Sequence, residues 1–138
     1  MSIVRIAAGA NFLEIGLSSG DPPAGDAYLT LKIGSHSFAG ENDLWIQEQA
    51  LRKFCCELTE LERSLTGEAS LSSVWPKELS LRFFAVTGRG HLAVEGSTGY
   101  DVQSENGSWW HSVSFGFEFE FSQLSAALSE SWVRERVA

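Results

Sequence analysis

Histidine and glutamate side chains are among the groups in this sequence that could ligate a metal or transfer protons. The three histidines, His36, His91 and His111, are far apart along the chain and lack the short spacings typical of zinc sites. Glu118 and Glu120 are separated by one residue in a strand-like segment, so both carboxylates would lie on one face, as in a paired-carboxylate site. The same alternation is typical of the solvent side of an amphipathic strand, and we favour that second interpretation.

The glycine-rich segment Gly88-Arg89-Gly90 is the other candidate for chemistry. A dinucleotide-binding loop must open a helix, whereas a strand-like segment follows here, so we predict a hairpin turn. A kinase-type loop would need its own motif lysine downstream and catalytic partners, and these motifs are missing here. No nucleophile elbow marks a serine, although a catalytic triad or a metal site assembled by the fold stays open. We therefore expect no catalytic residues, no cofactor, no metal ion and no enzymatic activity.

The two cysteines, Cys55 and Cys56, are adjacent in a segment that reads as helix. Neighbouring residues of a helix point about 100° apart, so these thiols cannot bridge without severe strain. Reduced thiols are typical of the cytoplasm. The N-terminal residues contain no continuous apolar core of the kind that a signal peptide needs, and no segment has the length of a membrane helix. We therefore expect a cytoplasmic protein with no membrane partner.

Length and charge limit the classes of partner. The chain has 138 residues, which fits a single domain spanning residues 1–138. Its net charge of −8 disfavours nucleic acid, because phosphate binding depends on Lys and Arg. An acidic surface provides solubility, and it also suits a basic protein partner that is attracted over long range.

The pattern of apolar residues places these groups on strands and helices. Period-two alternation predicts strands over residues 3–7, 12–17, 28–33 and 38–46, and further strands around Leu79–Ala85 and Leu92–Val94. Residues 18–26 read as a loop. An apolar stripe at helical spacing predicts one long helix over residues 47–66, with Gly67 as its C-terminal cap. The fold class is therefore α+β: a twisted antiparallel sheet of about six or seven strands, with the long helix packed on its apolar face and a short C-terminal helix.

The most regular strand lies after the Asn106-Gly107 turn signal. Its alternate positions are apolar: Val113, Phe115, Phe117, Phe119 and Phe121. One face of this strand must be buried, because that many exposed apolar side chains would make an aggregation-prone edge. Ser122 then fits the N-cap of the closing helix, which also carries Trp132.

Three aromatic residues are predicted to lie on the sheet face opposite the core. Alternation places Tyr28, Phe84 and Trp110 there. If that face is open to water, these residues form a patch suited to binding a partner. The alternative is that the closing helix, with Trp132, covers them and makes a second small core.

A series of packing positions and turns runs from residue 26 to residue 128. It comprises Leu29-Thr30-Leu31, Trp45, Leu51, Phe54, Leu58, Leu61, Leu65-Thr66-Gly67-Glu68-Ala69, Leu79, Leu81, Gly88-Arg89-Gly90-His91 and Val94, followed by the Phe-rich strand and the closing helix. The series resembles the WapI-type immunity-protein family and its uncharacterised bacterial relatives. The resemblance implies an antitoxin-like role, in which a small cytoplasmic protein binds and neutralises a bacterial toxin domain. It transfers no binding or catalytic residue, because the matching positions belong to the scaffold.

Three functions are open at this point. The first is a non-enzymatic protein that binds and occludes a protein partner, such as a toxin domain. The second is a half-barrel whose sheet encloses a ligand-binding or catalytic pocket, with His91, His111 or Arg82 converging on it. The third is a structural subunit of a homo-oligomer that associates through the aromatic face.

Overall fold

The computed structural model describes residues 2–18, 26–75 and 77–137, so most of the predicted loop over residues 18–26 lies outside the described part. The strands are β1 Ser2–Ala8, β2 Asn11–Leu17, β3 Asp26–Ser35, β4 Phe38–Gln47, β5 Glu68–Ser72, β6 Leu79–Ala85, β7 His91–Ser104 and β8 Gly107–Glu120. The helices are α1 Glu48–Ser64, α2 Phe121–Leu128 and α3 Ser131–Val137. The chain therefore has the predicted α+β class with antiparallel strands.

The strands form two sheets, where we predicted one sheet of six or seven strands. Sheet A has the order β1-β2-β3-β4 and sheet B the order β5-β6-β7-β8, with antiparallel pairing throughout. The prediction was wrong in this respect because alternation identifies a strand but not its neighbour. Helix α1 separates β4 from β5 along the chain, and β5 begins a second meander after it.

One hydrophobic core lies between the sheets and the helices. Strands β1, β3 and β4 contact β8, and the inward side chains of both sheets join one buried cluster. Phe115, Phe117 and Phe119 are buried in it, as the alternation of this strand predicted. Phe121 differs, because it is the first residue of α2 and only half-buried. Burial of each such side chain contributes about 1.5–3 kcal/mol to stability.

Helix α1 contacts strands of both sheets and buries one stripe. The buried residues are Leu51, Phe54, Cys55, Leu58 and Leu61. The helix ends at Ser64, and its C-cap residue Leu65 has a left-handed conformation (φ 54°) and donates its N–H to the Leu61 carbonyl at 2.9 Å. The prediction of Gly67 as the cap was wrong: Gly67 lies two residues later, although it also has positive φ (78°).

The closing segment is two short helices and not one. Helix α2 starts at Phe121 with Glu120 as its N-cap residue, so the prediction of Ser122 at that position was wrong. Helix α3 packs against α1, and Trp132 is buried there. Arg136 Nη2 donates to Glu48 Oε2 at 3.1 Å, and Arg136 Nε lies 2.9 Å from Glu48 Oε1. Among the described residues, no helix combines the length and apolar character needed to cross a bilayer.

The two free cysteines differ in burial. Cys55 is buried in the α1 stripe, and burial raises the pKa of its thiol to about 12, whereas Cys56 is exposed. Because the thiolate is the reactive form, we expect iodoacetamide to add to Cys56 alone in the native protein, even at about pH 10. Intact-mass spectrometry should show one adduct before denaturation and two after it. Two adducts on the native chain would contradict the buried position of Cys55.

Candidate functional site: an aromatic hairpin arm

The β7–β8 hairpin projects beyond the rest of sheet B. The last register pair between β6 and β7 is Leu79 with Thr98, whereas β7 and β8 remain paired to Ser104 with Gly107. Every residue from 100 to 112 is exposed. We call residues 100–112 the arm. A two-stranded ribbon of this kind gains no support from a core, so it must be held by its base, its turn and its cross-strand pairs.

A partly buried polar cluster anchors the base of the arm. The Glu78 carbonyl accepts the Gly99 N–H at 3.2 Å and also the hydroxyl of Thr98, which is buried. Asn42 of β4 donates through Nδ2 to Thr98 Oγ1 at 2.9 Å and to the Gly99 carbonyl at 3.0 Å. Sheet A is therefore hydrogen-bonded to β7 at the point where the arm begins.

The turn of the arm lies one residue before the predicted Asn106-Gly107 pair. Residues Glu105 and Asn106 form the turn, and Gly107 has φ 143°, which favours glycine. Ser104 Oγ accepts the indole N–H of Trp109 at 3.0 Å and donates to the Gly107 carbonyl at 3.2 Å. The tip is thus fixed by hydrogen bonds within the arm.

The inner face of the arm continues the core side of sheet B into solvent. Tyr100 stacks on His111, with ring centroids 5.9 Å apart and an interplanar angle of 15°. Val102 is the register partner of Trp109. Exposed fractions are 46% for Tyr100, 42% for Val102 and 58% for Trp109. Apolar side chains that form one continuous exposed face on a ribbon are typical of an interaction surface.

The outer face of the arm carries Trp110 and Asp101, which are directly opposite each other. The Trp110 ring occupies the space where a Gly99 side chain would be: a Cβ on Gly99 would lie 2.3 Å from Trp110 Cζ2. Trp110 nevertheless keeps 45% of its surface exposed. Residues 100–112 include the carboxylates of Asp101 and Glu105 but no lysine or arginine.

Comparison with known protein families, with curated proteins and with solved structures finds no match.

The structure separates the three predicted binding residues. Trp110 is on the arm, whereas Tyr28 lies on the outer face of sheet A, packed on Trp45 with ring centroids 4.9 Å apart. Phe84 is on β6, far from the arm: its register partner Ala93 pairs with Glu118, eight residues from Trp110, or about 26 Å along β8. Helix α3 packs against α1, so Trp132 does not form the second core considered as the alternative.

Phe84 already has partners within the chain. The Arg82 guanidinium lies over its ring, 4.0 Å from the centroid. Arg82 also forms ion pairs with Glu68 and Glu95, and these carboxylates raise the pKa of the guanidinium. Of the three predicted residues, only Trp110 therefore belongs to the exposed aromatic arm.

Sequence reasoning missed Tyr100, Val102 and Trp109. Their alternation is weak, because serine, glutamine and glycine interrupt it. The signal that could have found them is a length difference: the strands flanking Asn106-Gly107 have 14 residues each, whereas β6 has seven. A hairpin longer than its neighbouring strand must project from the sheet.

A second surface feature is an open groove of about 440 Å³ between β1, β8 and α2. His91, Glu118, Glu120 and Ser122 contribute to its lining. His91 Nε2 lies 3.9 Å from Glu120 Oε1, and both side chains are more than half exposed. The polar groups predicted for a pocket do not converge here, because His111 is on the arm and Arg82 is engaged on sheet B.

Proposed function

We propose that this chain is a non-enzymatic protein that binds another protein through the β7–β8 arm. The observation that carries the proposal is the exposure of Tyr100, Val102, Trp109 and Trp110 on one ordered ribbon. Tryptophan and tyrosine are the residues most often found at the energetic centres of protein interfaces. Their cross-strand contacts keep the arm ordered before binding, which lowers the entropy lost on association.

Charge favours a basic protein as the partner. The net charge is −8, and the arm itself contributes Asp101 and Glu105 without any opposing cation. Attraction between an acidic and a basic protein raises the association rate and weakens as salt is added. The same charge argues against nucleic acid as the partner, since its phosphates would be repelled.

Neutralisation of a bacterial toxin domain is the biological role that we propose for this binding. The series of packing positions over residues 26–128 supports it through its resemblance to WapI-type immunity proteins. In this role the arm covers or enters the toxin's active site, and the complex is inert because substrate is excluded. No group on this chain needs to react.

The test uses the product of the gene adjacent to the one that encodes this chain. We expect the two purified proteins to form a 1:1 complex in size-exclusion chromatography with light scattering. Expression of the neighbour alone should arrest growth, and co-expression of this chain should restore it. A toxic neighbour that neither binds this chain nor is neutralised by it would remove the proposal. Self-association without the neighbour would instead favour the homo-oligomer.

Binding of a small ligand in the groove is the second candidate function. Its volume of about 440 Å³ is within the range of small-molecule sites, and His91 with Glu120 supplies polar groups. A His91→Ala variant distinguishes the two sites: it would leave the protein complex unchanged if the arm is the binding surface. A complex that is lost with His91→Ala and kept when the arm is altered would favour the groove.

A further inference from the structure

Among the described residues, two groups of side chains share one arrangement: a cation over an aromatic ring, with a carboxylate beside it. Arg5 lies over Phe12, 4.9 Å from the ring centroid, and forms an ion pair with Glu14. Arg82 over Phe84 is the second group, and its carboxylate partners are on the neighbouring strands. In each group the carboxylate holds the guanidinium in position over the ring, so that the two attractions act on one cation.

The outer face of the arm has the ring and the carboxylate of this arrangement but not the cation. Trp110 and Asp101 are register partners on adjacent strands, so their side chains project from the same face. Asp101 forms no ion pair with any residue in the described part of the chain. Tryptophan has the most favourable ring for a cation, and no lysine or arginine lies within residues 100–112.

We infer that Trp110 and Asp101 bind an arginine side chain of a cationic protein partner. That this arginine belongs to a protein partner rests on the proposed function. Arginine fits better than lysine because its planar guanidinium stacks on an indole and donates two parallel hydrogen bonds to one carboxylate. A second copy of this chain is a poorer occupant, since it brings a further net charge of −8.

The test needs no natural partner, because a short peptide made only of arginine can serve as the probe. We would titrate it into ¹⁵N-labelled protein and follow the indole N–H resonance of Trp110, assigned by its loss in Trp110→Leu. A peptide of citrulline, which has the shape of arginine without its charge, is the neutral control. A peptide of lysine has the same charge but no guanidinium group, so it shows how much of the binding is due to charge alone. We expect the arginine peptide to shift Trp110 most, and the citrulline peptide to leave it unchanged.

Asp101→Asn is the variant that decides the inference. It should weaken the affinity for the arginine peptide by about two- to five-fold, the range for an exposed ion pair. The matched control is Glu118→Gln, which removes one negative charge from the same outer face of β8, and its effect should be less than about 1.5-fold. Because both side chains are exposed, neither variant should disturb the fold, which the amide spectrum will show.

Equal weakening by Asp101→Asn and Glu118→Gln would overturn the inference, because it would indicate attraction by net charge alone. Binding of the citrulline peptide as strong as that of arginine would overturn it as well. These outcomes are independent of the proposed function. Peptide binding at Trp110 with no complex with the neighbouring gene product would remove the proposed function alone. A complex that is unchanged by Asp101→Asn would remove the inference alone.

Discussion

Replacement of Phe83 by alanine is expected to lower the free energy of unfolding by about 3–5 kcal/mol. Phe83 is 1% exposed, and its ring lies 5.7 Å from that of Phe54 and 6.0 Å from that of Phe119. It thus joins helix α1, through Phe54, to two strands of sheet B. Truncation removes these contacts and leaves a cavity that the surrounding close-packed elements cannot fill.

Urea unfolding followed by circular dichroism measures this loss. The matched control is Phe38→Ala, because Phe38 is 67% exposed and its truncation should change stability by less than about 0.5 kcal/mol. The slope of free energy against urea should be the same for both variants if the unfolded states are equivalent. Similar urea midpoints for the two variants would show that helix α1 and sheet B do not pack around Phe83.

Replacement of Trp109 by alanine is expected to weaken the complex with the protein partner by about 2–4 kcal/mol, or roughly 30- to 1,000-fold in Kd. Trp109 is the most exposed aromatic residue on the inner face, and its pairing with Val102 and Ser104 holds the ring in one position. A ring that is ordered before binding and desolvated by binding contributes most at an interface. Isothermal titration calorimetry with the purified partner measures the change.

Two further variants test whether binding depends on the Trp109 ring itself or on the hydrogen bond that orients this ring. Trp45→Ala removes another partly exposed tryptophan from the outer face of sheet A, away from the arm, and should leave the Kd unchanged. Ser104→Ala keeps the indole ring but removes its hydrogen bond, so it should weaken the complex by only about 0.5–1.5 kcal/mol. Equal losses for Trp109→Ala and Trp45→Ala would argue against the arm as the binding surface.

The strongly periodic elements of this fold could be predicted from the sequence. Phe115, Phe117 and Phe119 alternate with polar residues, and a one-residue slip would have exposed them all, so only one register is stable. The α1 stripe is defined as clearly, since apolar residues at three- and four-residue spacing can share only one helical face. Strand β5 was missed because its short segment, Glu68–Ser72, contributes only Ala69 and Leu71 to the core.

The candidate site was only partly predictable. The face of Trp110 followed from alternation, because successive residues of a strand point to opposite sides. The separation of Tyr28 and Phe84 from it did not follow, because local spacing does not specify which strands become neighbours. Strand pairing depends on contacts between residues that are distant in sequence. These contacts form only when the whole chain folds, so the local pattern of residues does not reveal them.

Sequence by itself determined the strongly periodic strands, the long helix and the side of each of these strands that meets the core, because these depend on periods of two and 3.6 residues. Tertiary structure alone decided that the strands divide into two sheets and that β6 stops at Leu79 while β7 and β8 continue. Whether an aromatic side chain is buried or exposed depends on whether other helices or strands cover it, and that is a property of the whole fold. For that reason the same alternation that buries Phe115 leaves Trp109 in water.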